Sequence, residues 1–543
     1  MRNTWSRADL IRFALGAAIG VLFLFLPLGC GGGGAGNSAS TDGSPTTSPS
    51  GVTGQVATTH NPQVALYTVT SPKDGMLTVV FGKTTSYGLV TARQPISAGK
   101  AVSLYVAGML ATSTYHMQAA IQLADGSTIT DLDHTFTTGA LATQFNLQLN
   151  VKTTSGISPQ PGIEMLDVYG STGTGAVATD LSGNPLWTYY LPDGPPNALL
   201  FPIDLLPNGH ILFVVEALSQ ANYNGSSTAT GLSFLREVDL AGNVIRQLTV
   251  QDLNGRLTAA GFNVQLWSFH HDILALPNGH LVVLSNSIRQ MTGLSGQSGS
   301  VPVLGDVIVD LDSNLRPVWV WNAFDHLDIN RKPLLFPDWT HGNALLYSPS
   351  DGQLLISMRH QNWILKLDYR DGQGSGDVVW RLGPSGDFTL KDGIDPTDWF
   401  YAQHGPSFFS TNTSGVFSLG VMDNGNDRKF AAGVVCGGAN APPCQYPTVI
   451  VLQVDEGAKT ATQTFHQVLP PTDYSYFGGN AELMEDGDIA YTLCTLKGLP
   501  SAKVNESTGA GASQTVWEMD LNSQNAVIYR ATRLPSLYPH VQW

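Results

Sequence analysis

From Gln63 to Thr138 apolar and polar residues alternate in short runs: VALYTVT, LTVVFG, VSLYVAGM, YHMQAAIQL and DHTFTTG. An apolar residue at every second position marks strands with one buried face. From about residue 147 the pattern changes from alternation to repetition. Five glycine turns of similar form recur, LPNGH at Gly209, LPNGH at Gly279, PSDGQ at Gly352, NTSGV at Gly415 and EDGDI at Gly487, each followed by an apolar run. Their spacings are 70, 73, 63 and 72 residues. Six copies of a second element, an apolar-Asp strand with a following turn, run from ATDLSGNPLW to WEMDLNSQNAVIY.

A repeat of this length, with two hairpins per unit and no amphipathic helix pattern, predicts propeller blades. Residues 147–543 are expected to form a six-bladed β-propeller closing near Trp543, with the first blade diverged because it lacks a Gly turn. Ahead of it, VAGMLATSTYHMQA resembles the corner of a fibronectin III/immunoglobulin-like β-sandwich, in which a tyrosine, here Tyr115, hydrogen-bonds back to a loop. Residues 59–142 are read as that small sandwich, so the fold class is all-β. Residues 31–58, rich in Gly, Ser, Thr and Pro, read as a linker.

Composition adds the compartment. Charged residues are 13% of the chain and the formal net charge is −15, which argues against nucleic acid as a partner. Arg2, Arg7 and Arg12 precede the apolar run Phe13 to Leu28, which ends at Gly29-Cys30, an export signal across residues 1–30. Cys30 after a small residue resembles a bacterial lipoprotein acceptor, although Pro27 stands where leucine is usual. A periplasmic or outer-membrane-tethered lipoprotein follows, anchored in lipid through Cys30. In that oxidising setting Cys436 and Cys444, which bracket GGANAPP, would pair as a disulfide. Cys494, in IAYTLCTL, reads as a buried small residue.

Three of the repeats place a histidine at one equivalent position. His270 lies two residues before Asp272, His341 two before Asn343, and His404 two before Pro406; the second repeat has Leu200 there and the sixth Gly478. Side chains at one position of adjacent blades converge near the propeller axis. The hairpin at Gly352 should return Arg359 or His360 past His341, and that at Gly415 should bring Asp423 and Asn424 to His404. One guanidinium among imidazoles makes an oxyanion pocket rather than a metal site, because a cation would be repelled. On a regular strand His271 points away from His270 and supports it from behind; a bulge would swap the pair.

FHHDILALPNGH, DWTHGNALLYSPSDGQLLISMRHQNWILKLDY, VVWRLG, QHGPSFF and MDNGNDR together resemble the bacterial arylsulfate sulfotransferases. The resemblance implies a six-bladed propeller that moves a sulfuryl group from a phenolic sulfate ester to a phenolic acceptor, with no nucleotide donor and no cofactor. It implies His404 as the nucleophile of a sulfohistidine, ping-pong route. His341, Arg359 and His270 or His271 would line the same pocket, with Asn343 and Asn424 beside the substrate. Gly405 departs from the family, where a hydroxyl residue stands. His270 or His341 would serve as acid and base, in an order the sequence leaves open. Trp339, Trp363, Phe400 and Tyr401 flank these motifs and would either stack on aryl rings or pack the blades. A homodimer is a further expectation. The rival readings are an aryl sulfate hydrolase and a non-catalytic propeller that binds anionic ligands.

Overall fold

A computed structural model of the chain describes residues 40–41, 46–142, 147–170, 173–191, 194, 198–217, 233–437, 443–497, 501–509, 513–521 and 526–543. The export segment 1–30, with Cys30, lies outside the described residues. Among those described, no helix is long and apolar enough to cross a membrane.

The chain is all-β. Toward the N-terminus two sheets face one core. One holds Gly75–Gly82, Thr114–Gln122 and His134–Thr137; the other holds Thr53–Thr58, Ala65–Thr70 and Ala101–Val106. Val56, Tyr67, Val79, Phe81, Met117 and Phe136 fill the space between them. The alternation read in the sequence is the burial pattern of these strands: Thr114–Gln122 buries every second residue. Tyr115 Oη accepts a hydrogen bond from Leu110 N at 3.0 Å. Order begins earlier than composition suggests, since Thr53–Thr58 pairs with Ala65–Thr70 inside the expected linker. Buried Val52 and Val56 anchor it there.

Six further sheets of four or five strands follow, antiparallel apart from the short edge strand Thr389–Lys391. In five of them a Gly turn, at Gly209, Gly279, Gly352, Gly415 or Gly487, joins the innermost strand to the next. All five glycines have positive φ, the conformation a side chain disfavours. In both LPNGH turns the histidine pairs with a carboxylate two strands on: His210 with Glu237 at 2.5 Å, His280 with Asp310 at 3.0 Å.

The first sheet is built differently. Its inner strand is Ala526–Leu534, from the end of the chain, paired with Ile163–Gly170. No hairpin connects these two, so the first repeat has no Gly turn to find. The expectation of a diverged first repeat is corrected accordingly. The sixth sheet is completed from the other end of the chain, by Leu149–Thr153 against Thr515–Leu521.

Successive inner strands touch: Ala198–Leu205, Ser268–Ala275, Gly342–Ser348, His404–Phe408 and Ala481–Leu483 in order. Ala526–Leu534 contacts Ala198–Leu205 on one side and Ile489–Leu493 on the other. Apolar clusters fill the spaces between consecutive sheets, for example Trp319, Trp321 and Ile308 against Ile356, Leu365 and Leu367. The chain end also meets the N-terminal sheets, through Tyr538 Oη to Ala107 N at 2.7 Å and Trp543 Nε1 to Val90 O at 3.0 Å.

Candidate active site

The histidines stand where the inner strands lose their regularity. Pairing shifts register between Phe269 and Ile273, between Gly342 and Ala344, and between His404 and Ser407. Phe201 to Asp204 breaks at the same level of the neighbouring strand. Such bulges re-aim side chains next to functional sites. His271 (φ 58°) and His341 (φ 51°) take the left-handed conformation there, strain that persists only where surrounding structure holds it.

The bulge decides between the two adjacent histidines, and against the regular-strand reading. His271 turns inward: its ring meets His341 edge-on at 4.9 Å, with Phe201 and Tyr529 beside it. His270 stands behind. Its Nδ1 is 3.0 Å from His271 Nδ1, and its Nε2 is 3.3 Å from Asp306 Oδ1. Burial disfavours the His270 imidazolium, but Asp306 and then Glu216 outweigh it and raise the pKa. For His271, burial and the positive groups around it, His341 first, push the pKa well below the usual value.

His404 is fully enclosed, and its tautomer can be assigned. Asn424 Nδ2 donates to two carbonyls, Ser475 O at 2.9 Å and Gly478 O at 3.1 Å, so Asn424 Oδ1 must face His404. His404 Nδ1 lies 2.7 Å from that oxygen and 3.2 Å from Ala402 O. Both are acceptors, so Nδ1 carries the hydrogen and Nε2 keeps its lone pair. Burial, followed by the Arg359 charge, holds the His404 pKa well below normal. The ring is neutral at pH 7.

His341 is tied to Asp338 through Nδ1 at 2.7 Å and stacks on His360 at 4.4 Å. Its side chain is 27% exposed, which leaves it the open member of the group. Arg359 N donates to His341 O at 3.1 Å, placing the guanidinium beside the cluster. Arg359 Nη1 donates to His360 Nε2 at 2.6 Å and Nη2 to Tyr476 O at 3.1 Å, while Nε has no partner among the described residues. Asn343 Nδ2 donates to Gln403 O at 2.6 Å and its Oδ1 is unpaired there. Asn424 thus touches His404 and the following sheet, positioning the histidine rather than lining open space. Trp339, Trp363, Phe400 and Tyr401 are buried in the sheet interfaces.

Asp338, His341 and His360 offer ligand-type atoms within 4.8 Å of one another. His360 has no lone pair to spare, because Nδ1 donates to Asp338 O at 2.7 Å and Nε2 receives the Arg359 N–H. The set works as a hydrogen-bond network that holds the guanidinium.

Two residues escaped the sequence reading. Arg530 and Tyr529 come from the last strand, where the sixth apolar-Asp repeat ends at Tyr529 and nothing marks either residue as part of a site. Tyr529 packs edge-on against His404 at 6.0 Å and His271 at 5.7 Å. Arg530 donates to Asn343 O, lies 3.5 Å from Asp272 Oδ2, and its charge reaches both His271 and His404. Only chain closure brings them here. Gly405, at φ 41°, is also explained: a Cβ would come within 2.5 Å of Asn480 Cβ and 2.6 Å of Gly479 O. No hydroxyl side chain fits.

Residues 172–530 match the family model of the arylsulfotransferases (ASST), and the chain belongs to that family. It is therefore a sulfotransferase by class, and the family implies phenolic substrates. No curated protein sequence matches the chain. Among solved structures, a Lactobacillus plantarum protein is 10% identical, with 84% of this chain and 99% of that one covered and a TM-score of 0.35. A Synechocystis apocarotenoid oxygenase mutant is 11% identical, with coverage of 88% and 94% and a TM-score of 0.30. A member of the DUF4221 family from Bacteroides vulgatus is 10% identical, with coverage of 71% and 97% and a TM-score of 0.30. Likeness at this level carries no argument about activity.

Cys436 and Cys444 are joined by a disulfide. It lies in the segment between Val416–Asp423 and Thr448–Asp455, which also carries Asn424. Cys494 is free and buried.

Proposed function

We propose that this protein transfers a sulfuryl group from an aryl sulfate to a phenol in two displacements, through a sulfohistidine at His404. The observation that carries the reading is the Asn424–His404 hydrogen bond. It fixes the hydrogen on Nδ1 and leaves a neutral Nε2 lone pair among cations. A neutral imidazole is a competent nucleophile, and the N-sulfonated imidazole is labile enough to pass its group on. Sulfuryl transfer, like phosphoryl transfer, asks chiefly for positioning and for charge on the equatorial oxygens. Arg359, held by His360 and Tyr476, supplies that charge.

The other histidines divide the proton work. His341, paired with Asp338 and most open, is the acid that protonates the leaving phenolate and the base that receives the acceptor's proton. His271 does not carry charge, since its pKa lies well below neutrality. Asp306 and Glu216 raise the His270 pKa; in its charged form His270 donates Nδ1–H to His271 Nδ1, and the hydrogen of His271 sits on Nε2. His271 is then a fixed donor to a sulfuryl or phenolic oxygen, and His270 positions it.

The six sheets are read as the blades of a propeller with its histidines around the axis, and the two N-terminal sheets as a separate sandwich. The chain is exported and tethered by lipid at Cys30; a homodimer is part of the same reading. The test is turnover of a fluorogenic aryl sulfate with and without added phenol. Release that depends on phenol, yields a sulfated phenol and disappears in His404→Ala is expected. Phenol-independent release would instead make the protein a hydrolase.

A further inference from the structure

On the propeller reading, the central channel continues past the histidines. The residues that follow them along the inner strands line a cavity of about 170 Å³, walled by Asp204, Asp272, Ser407, Glu482, Arg530 and Thr532 among others. A cavity needs only ~10–15 Å³ of such space and two to four polar partners to hold a water. This chamber, with carboxyl and hydroxyl groups on its wall, takes several. A water-filled space directly behind a sulfohistidine is a hazard to a transferase.

Arg530 stands between the two spaces. It springs from Ala526–Leu534, reaches Asp272 on Ser268–Ala275 at 3.5 Å and donates to the Asn343 carbonyl on Gly342–Ser348. It thus bridges three inner strands at the level just below the histidine rings. Its side chain is 13% exposed. From this position it walls the chamber on one side, and its guanidinium lies 5.6 Å from the ring centroid of Tyr529, which packs against His404 and His271.

We propose that Arg530 is the plug of the channel: with Asp272 and Asn343 it keeps chamber water from the sulfohistidine, and so favours transfer over hydrolysis. This rests on the sulfohistidine reading. The reaction it suppresses is simple. A water oxygen attacks sulfur, and the S–N bond to His404 Nε2 breaks with its electron pair returning to nitrogen. The water's proton passes to His341 or solvent, and sulfate leaves.

The test uses the full-length protein, an aryl sulfate donor and saturating phenol, and reads the ratio of inorganic sulfate to sulfated phenol per turnover. That ratio does not depend on how much of a variant is folded. Arg530→Met should raise it at least tenfold. Arg530→Lys, which keeps the charge but lacks the fork that spans both partners, should raise it less. Thr532→Val, which alters only the chamber wall, should leave it at the wild-type value. An unchanged ratio in Arg530→Met overturns the proposal. If that variant makes neither product, Arg530→Lys decides: a raised ratio supports the plug, and an unchanged ratio or no product refutes it. A wild-type protein that sulfates no phenol refutes the function reading itself, and the proposal with it.

Discussion

At the scale of single residues, the site depends on which nitrogen of each imidazole carries the hydrogen. Asn424 sets that for His404. Asn424→Ala frees the ring to rotate or to change tautomer, and a misplaced reacting atom costs about 10²-fold. Turnover should fall by about that factor with KM little changed, as steady-state kinetics would reveal. Arg359→Ala removes the charge that the proposed route directs at the sulfuryl oxygens and should cost ~10²–10³ in rate, as for a lost oxyanion donor. The pH profile offers a third check. In the proposed route His404 must be neutral to attack, and its pKa lies well below the ordinary histidine value. The first half-reaction should therefore hold its rate as pH falls from 7 to 6, over which an exposed imidazole would lose about two-thirds of its neutral form. A single-turnover rate that halves near pH 6.5 would show that His404 is not held neutral.

At the scale of strands and turns, much was legible in the sequence. The Gly turns and apolar-Asp strands gave the sheets their order, and the shared position of His270, His341 and His404 pointed to one site. Two features were hidden, for physical reasons. Strand period assigns faces only while pairing is regular, and the shift between Phe269 and Ile273 exchanges the faces of His270 and His271. The pairing of the last strand with Ile163–Gly170 is long-range, so nothing near Tyr529 and Arg530 reveals it. The same bulge logic makes a prediction at Gly405. Gly405→Ser forces a Cβ against Asn480 and Gly479 at a positive φ. It should lower stability by roughly 1–3 kcal/mol and reduce activity, with thermal melts and turnover as the readouts. A melt equal to wild type would mean that the backbone there has room.

At the scale of the whole molecule, acids packed around the site link stability to pH. Burial and then Asp272 push Asp204 up to about 8, and burial pushes Glu482 and Glu216 up to about 7. These groups hold protons in the folded state that the unfolded chain releases near pH 4. Their contribution is present below that range and is lost as pH rises through about 7 to 8. His271, His360 and His404, held well below normal, act in the opposite sense and cost stability as pH falls below about 6.5. The melting temperature should therefore drop between pH 7 and 9, and Asp204→Asn should lessen that drop. An identical loss in both proteins would count against the acid chamber as its source.

The central claim is a covalent one: the sulfuryl group rests on His404 between donor and acceptor. Mixing the protein with an aryl sulfate, without phenol, and mapping the acid-labile adduct by mass spectrometry after a basic quench tests it directly. The account predicts one added sulfuryl group on the peptide containing His404, discharged within a turnover when phenol is added. An active protein that never carries the group, or carries it on another residue, would contradict it.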